Sequence, residues 1–103
     1  MPSARPAAAE RLRKPGNPSV SVLCLSLRGA AEIGVLARVV QQLARRGLLP
    51  LRWHCTESGE HLLMDLQVAG LAEDAGEMLA ESLRQIVGIE EVLTARLLRQ
   101  RAA

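Results

Sequence analysis

The chain has 103 residues and a formal net charge of +2, and its hydrophobic residues are almost all aliphatic, with one Trp and no Phe or Tyr. This length is typical of one small domain, and no stretch approaches the roughly 20 apolar residues of a membrane-spanning helix. The excess charge lies in residues 1–17, so residues 18–103 are nearly neutral and no basic surface for nucleic acid is predicted. The composition of residues 1–17 predicts a disordered basic tail on a cytoplasmic protein.

The first predicted strand is SVSVLCLSL, residues 19–27, in which apolar side chains on both faces indicate a central position in a sheet. We expect Arg28-Gly29 to end this strand. An amphipathic helix is predicted from Ile33, and Gly47 is placed to end it. The apolar residues predicted to form the buried stripe of this helix are Ile33, Leu36, Ala37, Val40, Leu43 and Ala44.

Two alternating runs on either side of the dipeptide Ser58-Gly59 predict a β-hairpin with this dipeptide as its turn. In that register Arg52 faces Asp65 as a cross-strand ion pair, and Glu57 faces Glu60 as an unfavourable like-charge pair. The runs that form the two predicted strands are residues 48–57 and 60–69.

Residues 71–88 predict a second helix that ends at Gly88, and residues 89–100 predict a last strand whose later half could equally be helical. The order β-α-β-β-α-β over residues 18–100 predicts an α+β ferredoxin-like sandwich, with a four-stranded antiparallel sheet and two helices on one face. The predicted buried side of the second helix consists of Ala75, Met78, Leu79, Leu83, Ile86 and Val87.

Side chains that would give this fold a recognisable chemistry are missing from the predicted elements. RNA-binding proteins of this fold stack bases on aromatic side chains of the two central strands, and these strands have none. His54 and Cys55 are adjacent in a strand, so they point to opposite faces and cannot form a nucleophile–base pair. His54 and His61 could share a face, but two histidines without a third ligand are a weak metal signal. We predict no catalytic residue, no metal and no cofactor, and we expect Cys24 and Cys55 to be small buried hydrophobes.

The stretch GVLARVVQQLARRGLLPLRWHC, which begins at Gly34, resembles the first helix and second strand of ACT domains, in particular those of the small regulatory subunits of acetolactate synthase. In that family a turn of the type Asn-Glu-Pro-Gly precedes Gly-Val/Ala-Leu-x-Arg-Val, and Arg-Arg-Gly precedes the second strand. The resemblance covers roughly residues 19–95 and is to the short, single-domain type. The matching residues are Glu32, Gly34, Val35, Leu36, Arg38, Val39, Arg45, Arg46 and Gly47.

The resemblance also implies an effector site, in which the glycine lets backbone amides approach an amino-acid carboxylate or a neighbouring subunit. Close packing of the helix against a strand is the alternative reason for Gly34. The family's Asn and Pro in the turn are Ala31 and Ile33 here, and its aromatic residue and Asn after Arg-Arg-Gly are Leu48 and Leu49, so we expect a degenerate site. The implied site residues are Ala31, Glu32, Ile33, Gly34, Val35, Leu48 and Leu49.

In function, the resemblance implies a non-catalytic regulatory subunit that binds and activates the large subunit of acetolactate synthase, a thiamine-diphosphate enzyme of branched-chain amino-acid biosynthesis, with weak or no valine feedback. The alternatives are a stand-alone ACT amino-acid sensor that acts on another metabolic enzyme and, in a different class, a small enzyme of the same fold. A homodimer is expected when no large subunit is present, because the open sheet face would expose Leu63 and ACT domains commonly pair side by side into a longer sheet. A small amino acid is the candidate ligand, and neither nucleic acid nor membrane is expected as a partner.

Overall fold

A computed structural model of the chain describes residues 19–100 and has the predicted order of elements. The strands form one antiparallel sheet in the order β2-β3-β1-β4, and both helices pack on one face of it, so the predicted ferredoxin-like sandwich is confirmed. The predicted basic tail, residues 1–17, lies outside the described residues. The elements are β1 Ser19–Ala30, α1 Ile33–Arg45, β2 Arg52–Ser58, β3 His61–Ala69, α2 Glu73–Arg84 and β4 Ile89–Gln100. Neither of the two helices described is long and apolar enough to cross a bilayer.

The core lies between the two helices and one face of the sheet. Successive side chains of a strand point to opposite faces, so Leu23, Leu25 and Leu27 of β1 face the helices together. Burial of each such side chain contributes roughly 1.5–3 kcal/mol to stability. The buried residues that the other elements add to this core are Val35, Val39, Leu43, Met64, Leu66, Leu79, Ala80, Leu83, Ile86 and Val92.

Strand β1 continues past its predicted end, because Arg28-Gly29 does not break it. Arg28 faces Glu91 of β4, whereas Gly29 faces the residue two positions before Glu91, so Glu90 is the extra residue of a β-bulge. A Cβ on Gly29 would lie 2.6 Å from the carbonyl oxygen of Gly88. The glycine therefore permits a close approach of two backbones instead of ending the strand.

The β2–β3 hairpin has a different turn from the predicted one. Ser58 pairs with His61, so the turn residues are Gly59 and Glu60, and each strand position has a partner two residues away from the predicted one. Gly59 has a φ of +64°, a conformation that glycine adopts without strain. The observed register also removes the like-charge pair of the predicted one, because Glu57 no longer faces Glu60.

The predicted ion pair between Arg52 and Asp65 is wrong in this register. Arg52 faces Gln67, and Asp65 faces His54. The Asp65 carboxylate instead accepts a hydrogen bond of 2.8 Å from Ser26 Oγ on β1. Because the register differs from the predicted one by an even number of residues, every side chain of the hairpin nevertheless keeps its predicted face.

Helix α1 ends at Arg45, and Gly47 follows it as the predicted C′ residue with a φ of +67°. The N–H of Gly47 donates to the carbonyl of Ala44 (3.0 Å), and the N–H of Leu48 donates to that of Leu43 (2.9 Å), which is the Schellman arrangement of a helix end. Helix α2 ends earlier than predicted, and Gly88 lies in the turn that follows it with a φ of +102°. The later half of the last element is strand, not helix.

The buried face of α1 differs from the predicted stripe. Val35, Val39 and Leu43 are buried, whereas Ile33 and Val40 are 80% and 46% exposed. The helix carries more apolar side chains than the core can cover, and apolar spacing alone did not distinguish the covered ones. Of the other predicted stripe residues, Leu36 is half-buried and Ala37 and Ala44 are exposed.

The predicted buried side of the second helix is confirmed at Leu79 and Leu83 of α2 and at Ile86 in the turn after it. It is wrong at Met78 of α2 and at Val87 in that turn, which are 66% and 79% exposed. Two small residues, Gly76 and Ala80, take part in the buried face instead, and Ala75 is half-buried. Small residues allow a helix to approach a sheet closely, which apolar periodicity does not reveal.

Candidate functional site

The loop between β1 and α1 is held by backbone hydrogen bonds to two other loops. The N–H of Ala30 donates to the carbonyl of Gly88 (2.8 Å), and the N–H of Ala31 donates to the carbonyl of Glu60 (3.2 Å). Gly88 belongs to the α2–β4 turn and Glu60 to the β2–β3 turn, so three loops meet at this point, which we term the loop junction. The junction fixes where α1 begins and how its first turn is oriented.

The first turn of α1 presents two backbone N–H groups, those of Ile33 and Gly34, that donate to no acceptor within residues 19–100. The next N–H, that of Val35, donates to the carbonyl of Glu32 (3.0 Å). Free N–H groups and the positive end of the helix dipole together favour a bound anion. Glu32 is exposed and makes no side-chain cap bond, so its carboxylate does not occupy these N–H groups within the described residues.

No other group packs tightly against Gly34 where a side chain would be. The nearest atoms to a Cβ built there belong to the guanidinium group of Arg38, at 3.8 and 3.9 Å, which is an ordinary van der Waals distance. Close packing of α1 against a strand is therefore not the reason for this glycine within the described structure. A group from outside the chain can reach the free N–H of Gly34 without meeting a side chain of that residue.

The remaining predicted site residues do not form one site in a single chain. Val35 is fully buried in the core, so its side chain is not available to a ligand, whereas Ile33 is largely exposed. Helix α1 has 13 residues, a length of about 20 Å, so Leu48 and Leu49 lie at the end opposite to residues 31–35. Leu48 packs against the core and Leu49 is 86% exposed. The two halves of the implied site can meet only if a second chain contributes one of them.

Two cavities formed by described residues lie away from this region. One, of about 460 Å³, lies between α2 and β4 and includes Glu73, Glu77 and Arg96 in its lining. The other, of about 230 Å³, lies against the open face of the sheet beside Leu63 and Leu93. Neither is lined by a residue of the implied effector site.

A cluster of exposed charges lies beside the loop junction. The bulge turns Glu90 towards the open sheet face, where its carboxylate lies 3.3 Å from Arg28 Nε and 3.4 Å from His61 Nε2. A second carboxylate, that of Glu91, lies 3.4 Å from Arg28 Nη1. Exposed pairs of this kind each contribute at most about 1 kcal/mol, so the cluster helps to align three strand ends and does not determine the fold.

Within residues 19–100, no three His, Cys, Asp or Glu side chains are placed to hold a metal ion. His54 and His61 share the open sheet face, but the pairing of Ser58 with His61 separates them by about 13 Å along the strands. Both cysteines are free thiols; Cys24 is half-buried and Cys55 is exposed, so the prediction of a buried thiol is wrong for Cys55.

No protein-family model matches the sequence, and no curated protein matches it. Among solved structures, the ACT domain of GTP pyrophosphokinase from Chlorobium tepidum superposes with a TM-score of 0.66 at 12% identity, covering 74% of this chain and 99% of that one. A solution NMR structure of the same domain gives a TM-score of 0.63 at 12% identity, covering 72% and 84%. The C-terminal domain of the MgtC protein from Mycobacterium tuberculosis gives 0.62 at 15% identity, covering 82% and 95%. At these identities the similarity shows the fold: this chain has the fold of ACT domains.

Proposed function

We propose that this protein is a non-catalytic regulatory subunit of the ACT type, which binds and activates the large subunit of acetolactate synthase in the cytoplasm. The observation that carries the proposal is a set of exposed apolar side chains on α1 and in the segment after it. Ile33, Val40, Leu49 and Leu51 are 80%, 46%, 86% and 52% exposed, and we term them the α1 flank. Grouped apolar exposure of this kind is typical of a surface that binds another protein.

The sequence motif that resembles acetolactate synthase small subunits supports the choice of partner. Two of its arginines connect α1 to the second helix and the turn after it. Arg38 Nη1 donates to the carbonyl of Val87 (3.3 Å), and Arg46 Nη2 donates to Ser82 Oγ (2.8 Å). Gly34 has no such role, because no other group packs tightly against the position that its side chain would take. A motif glycine that its own chain does not need is consistent with the approach of a ligand or a partner.

The decisive experiment measures the activity of the cognate large subunit alone and with this protein. We expect activation by the unmodified chain and its loss in the double variant Ile33→Asp/Leu49→Asp, since a carboxylate in an apolar interface is costly to desolvate. Leu93→Asp is the matched control, because Leu93 is 57% exposed on the opposite face of the sheet. Failure of the unmodified chain to activate would rule out the proposed partner, and equal loss in the control would rule out the α1 flank.

We further propose weak or no regulation by valine. The free N–H groups of Ile33 and Gly34 can donate to a carboxylate, but Ala31 and Leu49 replace amide side chains by apolar ones. Each missing charge-assisted hydrogen bond weakens binding by roughly 1.5–3 kcal/mol. Calorimetry is expected to show no heat of valine binding at about millimolar concentration, and the double variant Ala31→Asn/Leu49→Asn to show measurable heat. Tight binding by the unmodified protein would contradict this account of the site and leave the fold unaffected.

The second candidate function is a stand-alone amino-acid sensor that regulates another enzyme. The two unpartnered N–H groups at the start of α1 favour it, because they offer a carboxylate a place that needs no side chain. A calorimetric screen of amino acids separates the two functions: strong binding of any one of them, without activation of the large subunit, supports the sensor. In either function we propose that the protein pairs with a second copy when no larger partner is present.

A further inference from the structure

A groove of about 460 Å³ runs between α2 and β4, and no residue of α1 contributes to its lining. Gly76 and Ala80 of α2 leave room in it, because neither has a side chain larger than a methyl group. Strand β4 is at the edge of the sheet, so no further strand of residues 19–100 covers this side. The groove, which we term the α2–β4 groove, is open to a segment from outside the described residues.

Three exposed carboxylates line the helix side of the α2–β4 groove, those of Glu73, Glu77 and Glu81. They are four residues apart, so they lie on one face of α2 with about 6 Å between successive positions along the helix axis. Within residues 19–100, Glu73 and Glu77 make no ion pair, and Glu81 pairs only with Arg84 of its own helix, at 3.3 Å. The groove therefore presents two carboxylates that no described side chain neutralises by direct contact.

Two arginines line the groove as well, and each is hydrogen-bonded within the fold. Arg84 Nη2 donates to the carbonyl of Val92 (3.0 Å). Arg96 donates to the carbonyls of Leu71 (2.7 Å) and Ala72 (3.0 Å), just before α2 begins. Their charges reduce the net negative charge of the groove, so we expect it to hold a cationic segment only when that segment is already close by, as part of the same chain is.

The chain enters β1 at the Glu73 end of the groove. Arg96 Nη1 donates both to Ser21 Oγ (3.2 Å) and to the carbonyl of Leu71 (2.7 Å), which is two residues before Glu73. The first described residue is two positions before Ser21, a separation of at most about 7 Å. Residues 1–18 therefore join the described structure beside this end of the groove.

We propose that the basic segment before β1 docks in the α2–β4 groove of its own chain. Residues 1–17 contain four basic side chains and one acidic one, a net charge of +3 that complements the carboxylates of α2. Such a segment has too few apolar residues to fold by itself, but it can become ordered on a surface of opposite charge.

Spacing and reach both fit this arrangement. In an extended chain Arg11 and Arg13 would lie on one side about 7 Å apart, close to the spacing of the carboxylates along α2. Lys14 is five residues before the first described residue and Arg11 is eight, so they can reach about 17 and 26 Å from it. The basic residues therefore reach the first two carboxylates of the groove without any change in the described structure.

Trypsin cleavage of the full chain tests the proposal, because the protease cuts after Arg11 and Arg13 only while the segment is undocked. The groove variant Glu73→Gln/Glu77→Gln is expected to be cut at these two sites about 3-fold faster or more at low salt, since cleavage follows the population of the open form. In about 0.5 M salt the unmodified chain and the groove variant should be cut at the same rate, because salt screens the attraction.

The matched control is Glu57→Gln/Glu60→Gln, which removes the same charge from the β2–β3 hairpin, beside the opposite end of β1. It should be cut at the rate of the unmodified chain. A second measurement leaves α2 unchanged: neutralising the segment by Arg11→Gln/Arg13→Gln/Lys14→Gln should shift the amide NMR signals of residues 73–81 and 94–96 and not those of the hairpin.

The other outcomes each overturn a defined part. An unmodified chain that is cut as fast as the groove variant at low salt shows that the segment does not dock. Equal acceleration in the hairpin control, or amide shifts outside the groove, shows that the α2–β4 groove is the wrong place. Protection that is lost when the protein is diluted assigns the segment to the groove of a second copy and contradicts docking within one chain.

Discussion

Gly34 and Gly76 lie near the starts of α1 and α2, yet their surroundings are opposite. A Cβ on Gly76 would lie 2.6 Å from Arg96 Nη2 and 3.2 Å from Leu23 Cδ2, whereas one on Gly34 would meet nothing closer than Arg38 at 3.8 Å. A side chain at Gly76 would displace the Arg96 guanidinium and press on Leu23. Gly34 leaves the start of α1 accessible. Two glycines that look equivalent in the sequence thus have different purposes, and only the packing around them shows it.

The same contrast holds for how the two helices are attached. Arg96 crosses from β4 to the start of α2, where its Nη1 donates to the carbonyl of Leu71 (2.7 Å) and its Nη2 to that of Ala72 (3.0 Å). It also donates to Ser21 Oγ of β1 (3.2 Å). Within the described residues the start of α1 has no such side-chain clamp, only the backbone bonds of the loop junction. The accessible helix start is the one held by backbone alone.

The largest expected loss of stability is at a third glycine, Gly88, which is packed as closely as Gly76. A Cβ there would lie 2.6 Å from Val35 Cγ2 and would also be strained by the φ of +102°. We expect Gly88→Ala to lower the free energy of unfolding by about 3 kcal/mol, measured by urea denaturation. Gly59→Ala is the control for backbone strain alone, since its φ is +64° and nothing lies within 4 Å, and it should cost about 1 kcal/mol. Equal losses in both variants would contradict the contact with Val35.

A smaller loss is expected for Gly76→Ala. The new methyl group must displace the Arg96 guanidinium and so deprive the carbonyls of Leu71 and Ala72 of their donor. Against a helix-propensity gain of about 1 kcal/mol, we expect a net loss of about 1 kcal/mol in thermal or urea unfolding. In an Arg96→Met background the same substitution should cost clearly less. An unchanged cost in that double-mutant cycle would mean that Leu23, not Arg96, limits the approach of α2.

The smallest effect on stability, with the opposite sign, is expected for Gly34→Ala. The open space admits the methyl group, so the variant should be as stable as the unmodified chain or more stable by up to about 1 kcal/mol. Its effect should appear in function instead, as weaker activation of the large subunit. A destabilised Gly34→Ala would remove the contrast with Gly76, and full activation by a stable variant would show that no partner approaches this turn.

Much of the fold was predictable from local sequence patterns. The β-α-β-β-α-β order, the start of α1 at Ile33 and its end before Gly47 rest on periodicity and on a glycine of positive φ, which are local properties. The hairpin turn was misplaced by one residue, and the strand partners therefore by two, because Ser58-Gly59 and Gly59-Glu60 are both acceptable turn dipeptides and pairing with the rest of the sheet decides between them.

What sequence patterns could not supply is the set of apolar residues that the core covers. Ile33 and Val40 fit the periodic stripe of α1 as well as Leu43 does, but the sheet beneath the helix covers only Leu43. The implied effector site shares this limit, because the family pattern aligns Gly34 and Leu49 with site positions, although Leu49 departs from the family's Asn, and α1 holds the two residues at its opposite ends within one chain. Composition and spacing describe one chain at a time, so they do not show whether a second chain completes the implied site.

The loop junction has a mechanical consequence. Two consecutive amides, those of Ala30 and Ala31, are anchored to carbonyls in different turns, Gly88 on one side and Glu60 on the other. A force on the first turn of α1 is therefore transmitted both to the β2–β3 turn and to the start of β4, which lie on either side of β1. Two backbone hydrogen bonds thus tie three connections together at one end of the sheet. A partner that contacts the first turn of α1 would bear on both neighbouring turns through these bonds.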